Sequence, residues 1–351
     1  MDTSYLPISI LWITGGFLIA IPQSILYMMH GRFTSIIECL NPLFEFEHQN
    51  TKIVWKAAFI SGLLLCSYIS YLLIGTSFGF FQFTFFESVQ FFGNDLSLLG
   101  FGISGVLIGF GFRLVENSND DEENYQVTLF NKSSICYFSI SIIIASLIAC
   151  IRKRTNFLST PLNFSDDFIS QYYLCIDFVM MLIIVALSIK LSLTLGVRTL
   201  QKERTEIIIS LVMGSIYGLG LILTGGCKRQ FLLQMLRFEK FEFTPIGIFC
   251  IAIFIKSLLS FLAFHLMKKP LYAEKFAVKK SVNFEKLKIF GAICSGIGIG
   301  MSGLTPGTSL VNAMIQPHML PFLPMLACGQ IICDGFIAFK TVYLKNKQKE
   351  E

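Results

Sequence analysis

Nine stretches of this chain, each about 20 residues long and nearly free of charge, lie near 6–29, 53–74, 96–115, 134–151, 172–196, 206–226, 245–268, 287–304 and 319–339. A bilayer core is crossed by roughly that length of apolar helix. In lipid, only helices and closed barrels satisfy their own backbone polar groups. The runs predict an all-α polytopic membrane protein with about nine transmembrane helices. Charge supports the same reading. Only 15% of the 351 residues are charged and 54% are hydrophobic, against about 25% charged in soluble domains. Too little charge is present to cover a water-exposed surface of this size.

Other classes find no support. The net charge of +5 comes from basic residues in short loops, without the basic and aromatic pattern of a nucleic-acid module. The ten cysteines are scattered singly, with no CxxC, so neither a disulfide framework nor a zinc site is expected. The histidines at 30, 48, 265 and 318 lack the i, i+4 spacing of metal ligands. No nucleophile–base or paired-carboxylate arrangement follows from spacing. The reading is therefore a non-enzyme with no cofactor and no metal. The first apolar run has no basic residue ahead of it and no small-residue cleavage site, which makes it a span and not a signal peptide.

Four apolar stretches are too short to cross: 33–44, 79–93, 228–238 and 305–316. Beside glycine or proline breaks they suggest re-entrant half-helices, which are tolerated only under protein cover or along a polar cavity. The phenylalanine-rich 78–92 reads as either interfacial or re-entrant. Polar loops fall at 116–133, where Glu116 opens an acidic run through Glu123, and at 152–171, 197–205 and 268–288. Loop 268–288 and the tail from Lys340 are rich in lysine, which places both in the cytoplasm and the N-terminus outside. The basic group Arg152–Lys153–Arg154 falls on the opposite side.

An internal repeat suggests more than plain spans. Gly105-x3-Gly109-x-Gly111 recurs as Gly214-x3-Gly218-x-Gly220 and as Ala292-x3-Gly296-x-Gly298. Small residues four apart let membrane helices approach closely. Nine residues past the middle glycine each segment reaches a small polar residue: Ser118, Cys227 and Thr305. Two of these lie in breaks, beside Gly226 and between Gly303 and Pro306-Gly307. Proline lacks an N–H and turns the residue before it out of helical geometry, so a half-helix can start at Thr305. Broken helices at matching positions are a way that transport folds build a midplane site. The alternative is that the glycines only pack helices.

The residues Gly31-Arg32-Phe33-Thr34-Ser35, Gly109-Phe110-Gly111-Phe112-Arg113-Leu114, Gly218-Leu219-Gly220 through Gly226-Cys227, and Gly298 through Thr305-Pro306-Gly307 resemble the YeeE/YedE sulphur-transport family, which includes thiosulfate-uptake proteins. The resemblance implies an hourglass bundle of two pseudo-symmetric halves that guides a small sulfur-containing anion past cysteine thiols. A soluble sulfur-carrier is a candidate partner at the cytoplasmic face. The chain has Thr34 and Thr305 where the family carries cysteines, and of the motif thiols keeps Cys227. Hydroxyls can donate to an anion as well. The expected halves are 1–200 and 201–340, followed by a basic tail at 341–351. The expected path holds Thr34, Ser118, Cys227 and Thr305, with Arg32, Lys228 and Arg229 drawing the anion in. A non-transporting scaffold of the same fold, or a transporter of another small solute, remains the alternative.

Charges within spans are costly and mark functional positions by default. Lys256 lies mid-span, and Asp177 and Asp334 lie in other spans. Lys256 either attracts the anion or forms a buried Lys–Asp pair. Gly298-x-Gly300-x-x-Gly303 matches a dinucleotide fingerprint as a string, but lacks the strand and the partner acid that motif requires.

Overall fold

The computed structural model describes residues 8–31, 35–40, 52–74, 85–88, 92, 95–116, 132–155, 165, 167–169, 171–179, 201–237, 244–273, 276 and 285–350. Among the described residues the chain is helical, with no strand. The helices are α1 (Ile8–His30), α2 (Ile36–Leu40), α3 (Lys52–Ile74), α4 (Leu98–Glu116), α5 (Lys132–Thr155), α6 (Gln201–Leu223), α7 (Arg229–Leu236), α8 (Thr244–Leu266), α9 (Lys286–Ser302), α10 (Pro306–Ala313) and α11 (Met319–Glu350). Six of them are long and apolar enough to cross a membrane, and a seventh crossing results if α9 and α10, bent by 41°, form one span. This is an all-α polytopic membrane protein. Two of the nine expected crossings stand apart from that count. Residues 251–266 of α8 form a shorter apolar helix, and of 172–196 only the helical residues up to 179 are described.

The long helices pack in two rows. In one, α8 lies on α1, α1 on α6 and α6 on α3; in the other, α5 lies on α9, α9 on α4 and α4 on α11. Each row takes helices from both sides of residue 200. The short helices α2, α7 and α10 lie where the rows meet, with α10 touching α2, α3, α6 and α11.

The repeated glycines explain the rows. Residues two apart on an α-helix are about 200° apart around its axis, so the second and third small residues of each motif face opposite neighbours. A Cβ at Gly109 would run into the Leu326 backbone of α11, whereas one at Gly111 would lie 2.5 Å from the Gly291 oxygen of α9. A Cβ at Gly218 would meet the Leu63 oxygen of α3 at 3.1 Å, and one at Gly220 the Ile19 nitrogen of α1 at 2.9 Å. In α9, Gly296 faces Ser141 of α5 and Gly298 faces Ser104 of α4. Lipid tails offer no hydrophobic drive for helix association, so close backbone approach supplies the packing energy. Each motif therefore marks a helix held between two others.

The core runs through the junction of the rows, with Leu63, Phe92, Phe101, Ile222, Leu304, Val311 and Phe322 all fully buried. Phe85 and Phe86 belong to it as well. For these phenylalanines the interfacial alternative fails, because their rings pack inside the protein.

Candidate functional site: a cavity at the broken helices

Three helices stop at a glycine with left-handed backbone: Gly31 after α1, Gly225 after α6 and Gly303 after α9, with φ of 69°, 72° and 68°. At Gly303 the geometry ends α9 with an N–H donated to the Ile299 oxygen at 2.7 Å. That backbone costs a residue with a Cβ roughly 1–2 kcal/mol. Two residues later the extended Thr305 caps α10. Its hydroxyl accepts from the Thr308 N–H at 3.4 Å, and the Thr308 hydroxyl accepts from the Thr305 N–H at 2.8 Å. Pro306 occupies the first helical position, where its missing N–H costs nothing.

A helix ending inside a membrane protein must have its last carbonyls satisfied. Side chains from elsewhere do this for α10. Ser67 of α3 donates to the Val311 oxygen at 2.6 Å, Tyr172 to the Ala313 oxygen at 2.5 Å, and Tyr173 to the Ile315 oxygen at 3.2 Å. The side-chain amide of Gln316 donates to the Glu87 carbonyl at 2.6 Å. Every residue of α10 is buried.

The positive end of α10 faces a cavity of about 350 Å³. Its walls come from both rows: α1, α2, α4, α5, α6, α7, α8 and α9 all contribute. The lining is apolar for the most part and set with hydroxyls from Ser35, Ser134, Ser141, Thr224, Tyr217, Ser295, Thr305 and Thr308. Its charged residues are Lys256 from α8 and Glu116 from α4. Hydroxyls, a lysine and a helix N-terminus together form an anion-compatible lining.

The expected path residues separate into three groups. Thr305 and Lys256 line the cavity. Thr34, Arg32 and Ser118 lie outside the described residues. Cys227 and Arg229 are buried away from the lining, although Gly225 and Gly226 are part of it. Burial pushes the Cys227 thiol well up, with the nearby Cys66 adding to the effect and Lys228 opposing it. A thiol held neutral in this way is a poor nucleophile. Burial lowers Lys228, against the attraction of Glu87. The Lys–Asp alternative for Lys256 meets two aspartates that already have partners: Asp334 with Arg113 at 2.7 Å, and Asp177 with the Tyr68 hydroxyl.

Arg229 does not reach out for solute but closes the junction from within. It is fully buried, ion-paired with Asp95, and donates to the Phe92 oxygen at 2.7 Å and to the Ser302 oxygen. Its guanidinium lies 5.2 Å from the Phe101 ring. Arg152 of α5 also pairs with Asp95 and donates to the Met301 oxygen, and Arg237 stands 3.8 Å from the same carboxylate. Two arginines thus cap the last carbonyls of α9, where the helix dipole is negative. Burial alone would raise the Asp95 carboxyl, but Arg229 and Arg152 outweigh it and hold it below the usual carboxylate range.

Four residues escape a reading by sequence. Glu116 looks like the start of the acidic loop but ends α4 and turns into the cavity. Arg152 looks like one of three loop cations, yet it is buried while Lys153 and Arg154 are exposed. Thr308 signals itself only as the third residue after a Thr-Pro start, the spacing of a capping box. Asp95 has no local signal, since its arginines come from 57, 134 and 142 positions along the chain. Comparison with protein-family models, with curated proteins and with solved structures found no match.

Proposed function

We propose that this protein transports a small anion across its membrane, with the cavity at the broken helices as the solute chamber. One observation carries the reading: α9 and α10 break inside the bundle at a cavity that holds Lys256, Thr305 and Thr308. Irregular backbone at membrane depth is tolerated only under protein cover or along a polar cavity, and this break borders a cavity. An inorganic sulfur oxyanion such as thiosulfate is the substrate we favour, on the motif resemblance together with a chamber of this size. With Cys227 buried and away from the lining, hydroxyls and Lys256 would hold the anion, without covalent exchange through thiols. The lysine-rich loop 268–288 and the tail would face the cytoplasm, where a soluble sulfur-carrier could dock.

Uptake of radiolabelled thiosulfate into proteoliposomes tests the reading. We expect saturable flux above empty vesicles, lost in Lys256→Met. The absence of saturable flux for thiosulfate, sulfite and sulfate would sink it and leave the scaffold alternative. Flux unchanged in Lys256→Met would remove the lysine from the site.

A further inference from the structure

One side of the chamber is walled with carbon. Phe138 and Ile142 of α5, Leu232 and Met235 of α7, and Ala252 and Ile253 of α8 form it. Several hydroxyls of the lining are spent on the protein itself. Ser141 bonds Ser295 at 3.1 Å, Thr224 donates to the Leu221 oxygen at 2.9 Å, and Thr305 and Thr308 bond each other. An apolar cavity stays dry and takes apolar guests, and left empty it forfeits the dispersion contacts of its lining. At about 350 Å³ the chamber falls within the range of roughly 300–1,000 Å³ typical of sites for organic ligands.

The same side opens toward the bilayer. α5 and α8 end the two rows and both line the cavity, yet they do not pack along one another, and the short α7 bridges them. Successive residues of a helix turn by about 100°, so α5 presents different faces to different neighbours. Ile144 and Ile148 lie against Gly296 and Gly300 of α9, Phe138 and Ile142 line the cavity, and Ile143, Leu147 and Ile151 are exposed. Ile142 belongs to two of these faces, since it lines the cavity and is also 37% exposed. The cavity wall is therefore interrupted there.

Depth decides what meets the opening. The span of α5 runs from Ser134 to Thr155, which places Ile142 about 12 Å along the helix from its start. That is near the middle of a hydrocarbon core about 30 Å thick. Ile253 is likewise near the middle of α8 (Thr244–Leu266). At this depth the bilayer offers lipid chains, with headgroups and water both remote.

We propose that the chamber takes one acyl chain of a bilayer lipid, threaded sideways between α5 and α8, with the headgroup left at the membrane surface. Moving a chain from lipid into the chamber brings little hydrophobic gain, because lipid tails are as apolar as the lining. The gain is the filled void. Lipid beside the opening is abundant, so occupancy follows from supply by mass action. The site is independent of the solute transported, and its readout is occupancy and not flux.

The test uses the full chain in liposomes containing phosphatidylcholine with a diazirine at the end of one acyl chain. After illumination, peptide mass spectrometry locates the adducts. Adducts are expected on Leu232 and Met235 of α7, which lie inside the opening, as well as on the outward Ile143 and Leu147. Ile142→Trp and Ile253→Trp each narrow the opening from one helix and should lose the α7 adducts while keeping the outward ones. Leu147→Trp, on the outer face, should keep the α7 adducts. Wild-type adducts confined to outward residues, a lipid annulus only, overturn the proposal, and this pattern decides even where a variant fails to fold. Adducts on α7 that persist in both narrowing variants overturn it as well, because the chain then enters elsewhere.

Discussion

At the scale of single residues, the most consequential group is Asp95, which joins loop, α5 and α7 through three arginines. Removing one partner from such a buried cluster leaves uncompensated charge, typically at a cost of about 3–5 kcal/mol. The Asp95 side chain is 29% exposed, so we expect Asp95→Asn to fall near the lower end, about 3 kcal/mol. The pH dependence has a defined sign. A carboxyl lowered in the folded state contributes stability that is complete above its unfolded value, roughly 3.9, and is lost as pH falls through the folded value. Thermal unfolding in detergent should therefore show wild-type protein losing stability below about pH 4, with a shallower loss in Asp95→Asn. Equal acid sensitivity in both would contradict this assignment. Nothing local to Asp95 announces this role, because its partners are brought to it by the fold.

At the scale of elements, the glycine motifs decide which helices touch. Gly111 and Gly335 provide a matched comparison, since the same added methyl meets opposite surroundings. At Gly111 a Cβ would lie 2.5 Å from backbone atoms of α9, while at Gly335 nothing stands within 4 Å. We expect Gly111→Ala to lower stability by about 1–3 kcal/mol. Gly335→Ala should be neutral or slightly stabilising, because alanine favours helix over glycine by roughly 0.5–1 kcal/mol. Comparable melting temperatures for the two variants would refute the close-packing account. The motif spacing was visible in sequence, and so was the half-helix start at Thr305-Pro306. Which neighbour each glycine serves was not, because a string of small residues carries no information about its partner.

At the scale of the whole molecule, two rows of helices meet over short buried helices and a chamber. Orientation belongs to this scale. Arg152, one of three basic residues that argue for the opposite topology, is buried on Asp95 and the end of α9. It is a structural cation, and its weight in a count of loop charges falls accordingly. The expected topology, C-terminus in the cytoplasm, predicts that Lys347→Cys in a background lacking reactive native thiols resists a membrane-impermeant maleimide applied to intact cells. It should label after permeabilisation. Labelling of intact cells would reverse the topology.

Sequence by itself determined the environment and the breaks. Apolar length against charge dictates helices in a bilayer, and glycine or proline at 225–226 and 303–307 interrupts them for reasons of backbone geometry that need no neighbour. Only the tertiary structure decided which side chains share the chamber. Thr305 and Lys256 enter it, Cys227 and Arg229 turn away, and Glu116 leaves an acidic string to become part of the wall. The physical reason is that burial and charge pairing arise between distant segments. A residue's own stretch of chain fixes its backbone, whereas the company of its side chain is set by other helices, many of them distant in the chain.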